Sequence, residues 1–93
     1  MKLKVGQKLQ VRSWKEMEED YGIIGETIQT PMGFNLKMGR FCEKIVTISY
    51  IDPWDLSFEI EEDNQEFWWD TGMVKVPNNS IAALLEERYK YEF

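Results

Sequence analysis

Six carboxylates crowd one short stretch of the chain: Glu59, Glu61, Glu62, Asp63, Glu66 and Asp70. Two carboxyl groups flanking a scissile bond can act as general acid and general base, as in glycoside hydrolysis. A tighter set of oxygens can hold calcium. The spacing favours neither. Glu59 and Glu61 alternate with Phe58 and Ile60, which places them on the wet face of a strand. Glu62, Asp63 and Glu66 fall at a turn. Asp63-Asn64-Gln65-Glu66 lacks the ligand spacing and central glycine of an EF-hand loop. The group therefore reads as a solvated acidic surface. Cys42 is the single thiol. Its neighbours Arg40 and Lys44 are the kind that lower a thiol pKa, but free cysteine is among the most buried residue types, so packing beside Phe41 is expected. There is no histidine, which removes the commonest general base and zinc ligand. Neither a phosphate-cradling glycine loop nor a dinucleotide fingerprint is present. No metal site, no cofactor and no reaction class is indicated; the chain is expected to bind, not to catalyse.

Residues suited to binding are better represented. Trp68 and Trp69 are adjacent, so on a strand they point to opposite faces. One is expected in the core and the other outside, where an exposed tryptophan can anchor a partner. Trp54 at a turn tip is a second anchor. The expected partner surface is Trp54, Glu59, Glu61, Glu62, Asp63, Glu66 and one of Trp68 and Trp69.

These residues need a scaffold, and 93 residues suffice for one domain. Four Trp, four Tyr and five Phe supply a compact core. The net charge of −6 argues against direct nucleic-acid binding, despite a basic strand face of Lys2, Lys4, Lys8 and Arg12. It suits a basic protein partner. No apolar run approaches the ~20 residues of a membrane helix. With one cysteine and no secretory leader pattern at Met1–Val5, a reducing cytoplasm is expected.

Leu3, Val5, Leu9 and Val11 share parity, the period of a half-buried strand, with Gly6 as a bend. Ser13-Trp14-Lys15-Glu16 is a capping box, predicting a helix over 14–21 that ends at Gly22. Residues 23–33 read as a loop, and Phe34 to Cys42 as a second short helix. Ile45–Ile51 is a β-branched strand. Asp52-Pro53-Trp54-Asp55 is a turn, Leu56 to Ile60 a strand, Glu66 to Asp70 another, and Val74–Val76 the last. Ser80 can cap a helix whose stripe Ile81, Leu84, Leu85 and Tyr89 is apolar. The fold class is therefore mainly β (α+β): a small SH3-like barrel of about five short strands, with two short inserted helices and a C-terminal helix. Residues 1–76 form the β domain and 77–93 a helical extension packed on it.

Three segments in register carry a resemblance. They are Lys4-Val5-Gly6 through Val11-Arg12-Ser13, then Phe34, Met38, Cys42 and Lys44 through Ile48, then Ile60-Glu61-Glu62-Asp63 with Trp68, Asp70 and Met73. Together they resemble a group of small proteins of phages and prophages of Gram-positive bacteria, with the patterns KVGxxVxVRS, F…M…CGKxVTI and IEED…W.D.M. The chain departs from these at Glu43, where the pattern has glycine. The resemblance implies a phage origin, hence the bacterial host cytoplasm for a cytosolic chain, and an SH3-like β domain; it supplies no catalytic residues. The leading expectation is a protein-binding module, in its sharper form an inhibitor of a host nucleic-acid-acting enzyme or defence system. The alternative is an assembly protein that oligomerises, or docks on a larger phage protein, through Ile81, Leu84, Leu85 and Tyr89.

Overall fold

The computed structural model describes residues 2–77. The predicted C-terminal helix and its stripe Ile81, Leu84, Leu85 and Tyr89 lie outside the described residues.

Strand β1 (Lys8–Val11) buries Leu9 and Val11 fully and turns Lys8 outward, as its alternation requires. Val5 is the exception to the shared parity: Gly6, at φ +88°, bends the chain and leaves Val5 exposed. The helix α1 (Trp14–Tyr21) begins at the predicted capping box. The Ser13 Oγ accepts the Glu16 N–H at 3.1 Å, and the Glu16 carboxylate reaches back to the Ser13 N–H at 3.5 Å. Met17 is its buried residue, and Gly22 (φ +74°) ends it.

The segment predicted as a loop instead forms a small hairpin, β2 (Ile23–Ile24) with β3 (Thr27–Ile28). Gly25, at φ +62°, supplies the positive angle that a two-residue hairpin loop demands. The helix predicted over Phe34–Cys42 shrinks to one 3-10 turn, Met38–Phe41. The first residue of the predicted helix is taken by a bridge, Phe34 exchanging both backbone hydrogen bonds with Ile28 at 2.9 and 3.0 Å. The backbone beyond its end is taken by β1: the Glu43 N–H donates to the Val11 carbonyl at 2.8 Å, and the Val11 N–H to that of Lys44 at 2.9 Å. That junction places Glu43 at φ +67°, a left-handed conformation natural to glycine.

Strands β4 (Ile45–Ile51), β5 (Phe58–Ile60) and β6 (Val74–Lys75) complete a curled antiparallel sheet of order β5-β4-β1-β6. The predicted strand Glu66–Asp70 is reduced to a single bridge, Phe58 with Trp69. The chain leaves that bridge at one sheet edge, makes a 3-10 turn at Thr71–Met73, and pairs with β1 at the other edge. Both edges are thus held by one segment. Leu9, Val11, Val46, Ile48, Phe58 and Ile60 from the sheet meet Met17, Phe34, Met38, Phe41, Trp69 and Met73 in one core. Phe34 and Phe41 set their rings edge-on to Trp69, with centroids 5.9 and 5.7 Å away. Among the described residues, no helix is long and apolar enough to cross a membrane.

Candidate functional site: an exposed aromatic face

The carboxylates and tryptophans expected to form one surface divide between two jobs. Asp63 is buried, with 3% of its surface exposed. Its oxygens accept the Gln65 N–H at 2.9 Å, the Phe67 N–H at 3.3 Å and the Trp69 indole N–H at 2.8 Å. A buried carboxylate is tolerable when satisfied in this way. Trp69 itself is 0% exposed. Asp63 and Trp69 are therefore removed from the expected partner surface, and Trp68 is the outward member of its pair. Glu62 is also engaged: it accepts the Thr47 N–H at 2.8 Å and the Thr47 hydroxyl at 3.0 Å, tying the turn after β5 to β4. Asp70 accepts N–H groups from Gly72 and Met32, both at 2.8 Å. Glu66 pairs with Arg40 at 3.2 Å on the surface.

What faces water is different. Trp54, in the turn between β4 and β5, is 93% exposed. The turn that presents it is pinned from both sides. Asp52 accepts the Trp54 N–H at 2.8 Å, and Asp55 accepts both the N–H and the hydroxyl of Ser57, at 2.9 and 2.7 Å. Those bonds hold the Asp55 carboxyl below its usual pKa, the Ser57 hydroxyl contributing most. Leu56 in the same turn sits at φ +61° and is 59% exposed. A branched apolar residue held left-handed is strained, and such strain gathers at functional sites. On the outer face beside this turn, Tyr50 and Trp68 are 46% and 41% exposed, with ring centroids 6.2 Å apart. Glu59 stands opposite Tyr50 in the β4–β5 register.

Tyr50 was not singled out in the sequence, and Leu56, expected as the first apolar residue of a strand, lies instead in the turn before it, because β5 begins at Phe58. Tyr50 was hidden by a β-bulge: the register shifts between Ile48 and Tyr50, so simple alternation does not report its face. The position of Leu56 could have been suspected from the Asp-Pro-Trp-Asp turn preceding it, but not its left-handed backbone.

Among the other candidates, Cys42, Lys8 and Arg12 are engaged within the fold, while Lys2 and Lys4 are exposed. Burial raises the Cys42 thiol pKa above its ordinary value, the opposite of an activated nucleophile. In the basic strand face, the Lys8 Nζ donates to the Thr47 hydroxyl at 2.7 Å. Arg12 is neutralised by Asp20 and Glu16 and donates to the Gly72 carbonyl at 3.1 Å. The hydrogen bond with Asp20 leads in raising the Arg12 pKa further. Among the described residues, no group of three or more metal-ligating side chains converges.

Comparison of the chain with family models, with curated proteins and with solved structures gives no match in any of the three.

Proposed function

We propose that this chain is a small protein-binding module of a phage or prophage of Gram-positive bacteria, docking through Trp54, Leu56, Tyr50 and Trp68 with Glu59 opposite Tyr50 and Glu61 in the turn after β5. The observation that carries the reading is the turn bearing Trp54: a tryptophan 93% exposed on a backbone pinned by two aspartates. Large exposed aromatics on a rigid support are what binding hot spots are made of. The net charge of −6 favours a basic partner, which is the basis for the sharper reading, an inhibitor that occupies the basic channel of a host nucleic-acid enzyme. An SH3-like barrel is the architecture we assign. Its support is the strand order β5-β4-β1-β6, with the Trp69–Lys75 segment touching both edges through a 3-10 turn.

The test is affinity capture from a Gram-positive host lysate, comparing the wild-type chain with a Trp54→Ala/Trp68→Ala double variant. A basic host protein that the wild type retains at low salt, releases at high salt, and that the variant fails to retain is the expected result. If wild type and variant recover the same proteins, the aromatic face is not the docking surface, and an assembly role takes its place.

A further inference from the structure

Resting on that reading, we infer that the row Tyr50–Glu59–Trp68 is a receptor for one kind of side chain, the guanidinium of an arginine on a basic partner. The register makes the row. Tyr50 pairs with Glu59 across β4 and β5. Phe58 exchanges both backbone hydrogen bonds with Trp69, at 2.9 and 2.8 Å. The antiparallel continuation of that bridge sets Trp68 opposite Glu59. The register position of Glu59 thereby falls between two aromatic residues, whose rings meet edge to face across the strand that carries it, centroids 6.2 Å apart and planes at 61°. Among the described residues, Glu59 has no ion pair and no side-chain hydrogen bond.

A carboxylate beside an edge-to-face pair of rings has a specific complement. The ring faces attract a cation, and the carboxylate accepts two parallel N–H bonds from a planar fork. Arginine provides the flat cation and the fork together; lysine provides only a point charge. The same chain already satisfies this chemistry internally. Arg40 lies with its guanidinium carbon 4.7 Å from the centre of the Phe41 ring while pairing with Glu66 at 3.2 Å. The row has the ring and carboxylate halves of that arrangement and, among the described residues, lacks the cation. The net charge of the chain favours the approach of a basic segment.

The probe is a blocked tetra-arginine peptide, compared with its tetra-lysine counterpart, titrated into the isotope-labelled full chain at low salt. The indole N–H signals of Trp54, Trp68 and Trp69 are followed by NMR. The expected result is that the Trp68 signal and the Glu59 amide move with the arginine peptide, which binds about five-fold or more tightly than the lysine peptide. Glu59→Gln and Trp68→Ala should each remove most of that preference while leaving the Trp69 signal of the folded core in place. Equal affinity for the two peptides, with Trp54 and not Trp68 responding, overturns the arginine assignment and leaves the acidic-aromatic module standing. Binding of neither peptide overturns both.

Discussion

Trp69 and Trp68 are consecutive, yet one is the centre of the core and the other part of an exposed face. The carboxylates around them divide in the same way. Toward the inside, Asp63 takes the Trp69 indole N–H and Asp70 holds the turn that leads to β6. Toward the outside, Glu59, at the register position between Tyr50 and Trp68, has no side-chain hydrogen bond or ion pair among the described residues. Composition cannot separate the two groups, because both are made of Trp with Asp or Glu. What separates them is the number of N–H donors the backbone delivers. The inner carboxylates are saturated by their own chain. The outer one is left to be saturated by something else.

Changing each tryptophan in turn tests this division most severely. Trp69→Ala should cost about 3–5 kcal/mol in chemical denaturation, whereas Trp68→Ala should cost about 1 kcal/mol or less. Comparable losses for the two would erase the distinction between core and face. Next comes Asp63→Ala, which strips the Trp69 indole and two backbone N–H groups of their acceptor and should cost about 3 kcal/mol. Glu59→Ala, measured beside it, should be within about 0.5 kcal/mol of wild type. A smaller effect with the opposite sign is expected at Glu43. Glu43→Gly relieves a left-handed glutamate and should raise stability by up to about 1 kcal/mol, detectable as a higher denaturation midpoint with an unchanged slope.

The weakest effect concerns the third set of carboxylates, those of the helix. Lys75 donates to Glu16 at 3.1 Å, and this bond leads the causes that hold the Glu16 pKa below its ordinary value. A depressed carboxylate stabilises the fold above its unfolded pKa and stops doing so as pH falls through the folded one. Lys75→Ala should therefore lower stability near neutral pH by no more than about 0.5 kcal/mol. The difference from wild type should fade as pH drops below about 4. A gap that persists at lower pH would mean that Lys75 acts through packing instead.

How much of this was legible beforehand depends on the range of the interaction. The capping box, the Gly22 stop, β4 and the Asp52–Asp55 turn are specified by neighbours within a few residues, and they read correctly from the sequence. The β2–β3 hairpin did not, although Ile-Ile-Gly-Glu-Thr-Ile has β-branched residues on either side of a Gly-first loop; each strand is only two residues long. The helix expected over Phe34–Cys42 is cut short from both sides: Phe34 is claimed by a bridge to Ile28, and the backbone just after Cys42 by β1, some thirty residues earlier in the chain. Asp63 read as solvated because its loop is polar. Its role is set by an indole six residues on and by a core assembled from the whole chain. At the candidate site, Trp54 was legible as a turn-tip aromatic. Tyr50 was concealed by the bulge, and which of the paired tryptophans faced outward could not be assigned by parity alone.

The segment that touches both sheet edges also sets an order of events in folding. The β4–β5 hairpin joins residues a short turn apart, whereas the pairing of Val11 with Val74 joins opposite ends of the described chain. The entropy lost in closing so long a loop places β6 docking late, after the hairpin. The Arg12 N–H, which bonds to the Met73 carbonyl at 2.9 Å, should accordingly gain protection from hydrogen exchange later during refolding than the Asp52 N–H, which bonds to the Ser57 carbonyl across the hairpin at 2.8 Å. Until it does, β1 presents an open edge to any neighbouring chain, and the brief life of that edge governs whether the nascent protein folds or aggregates.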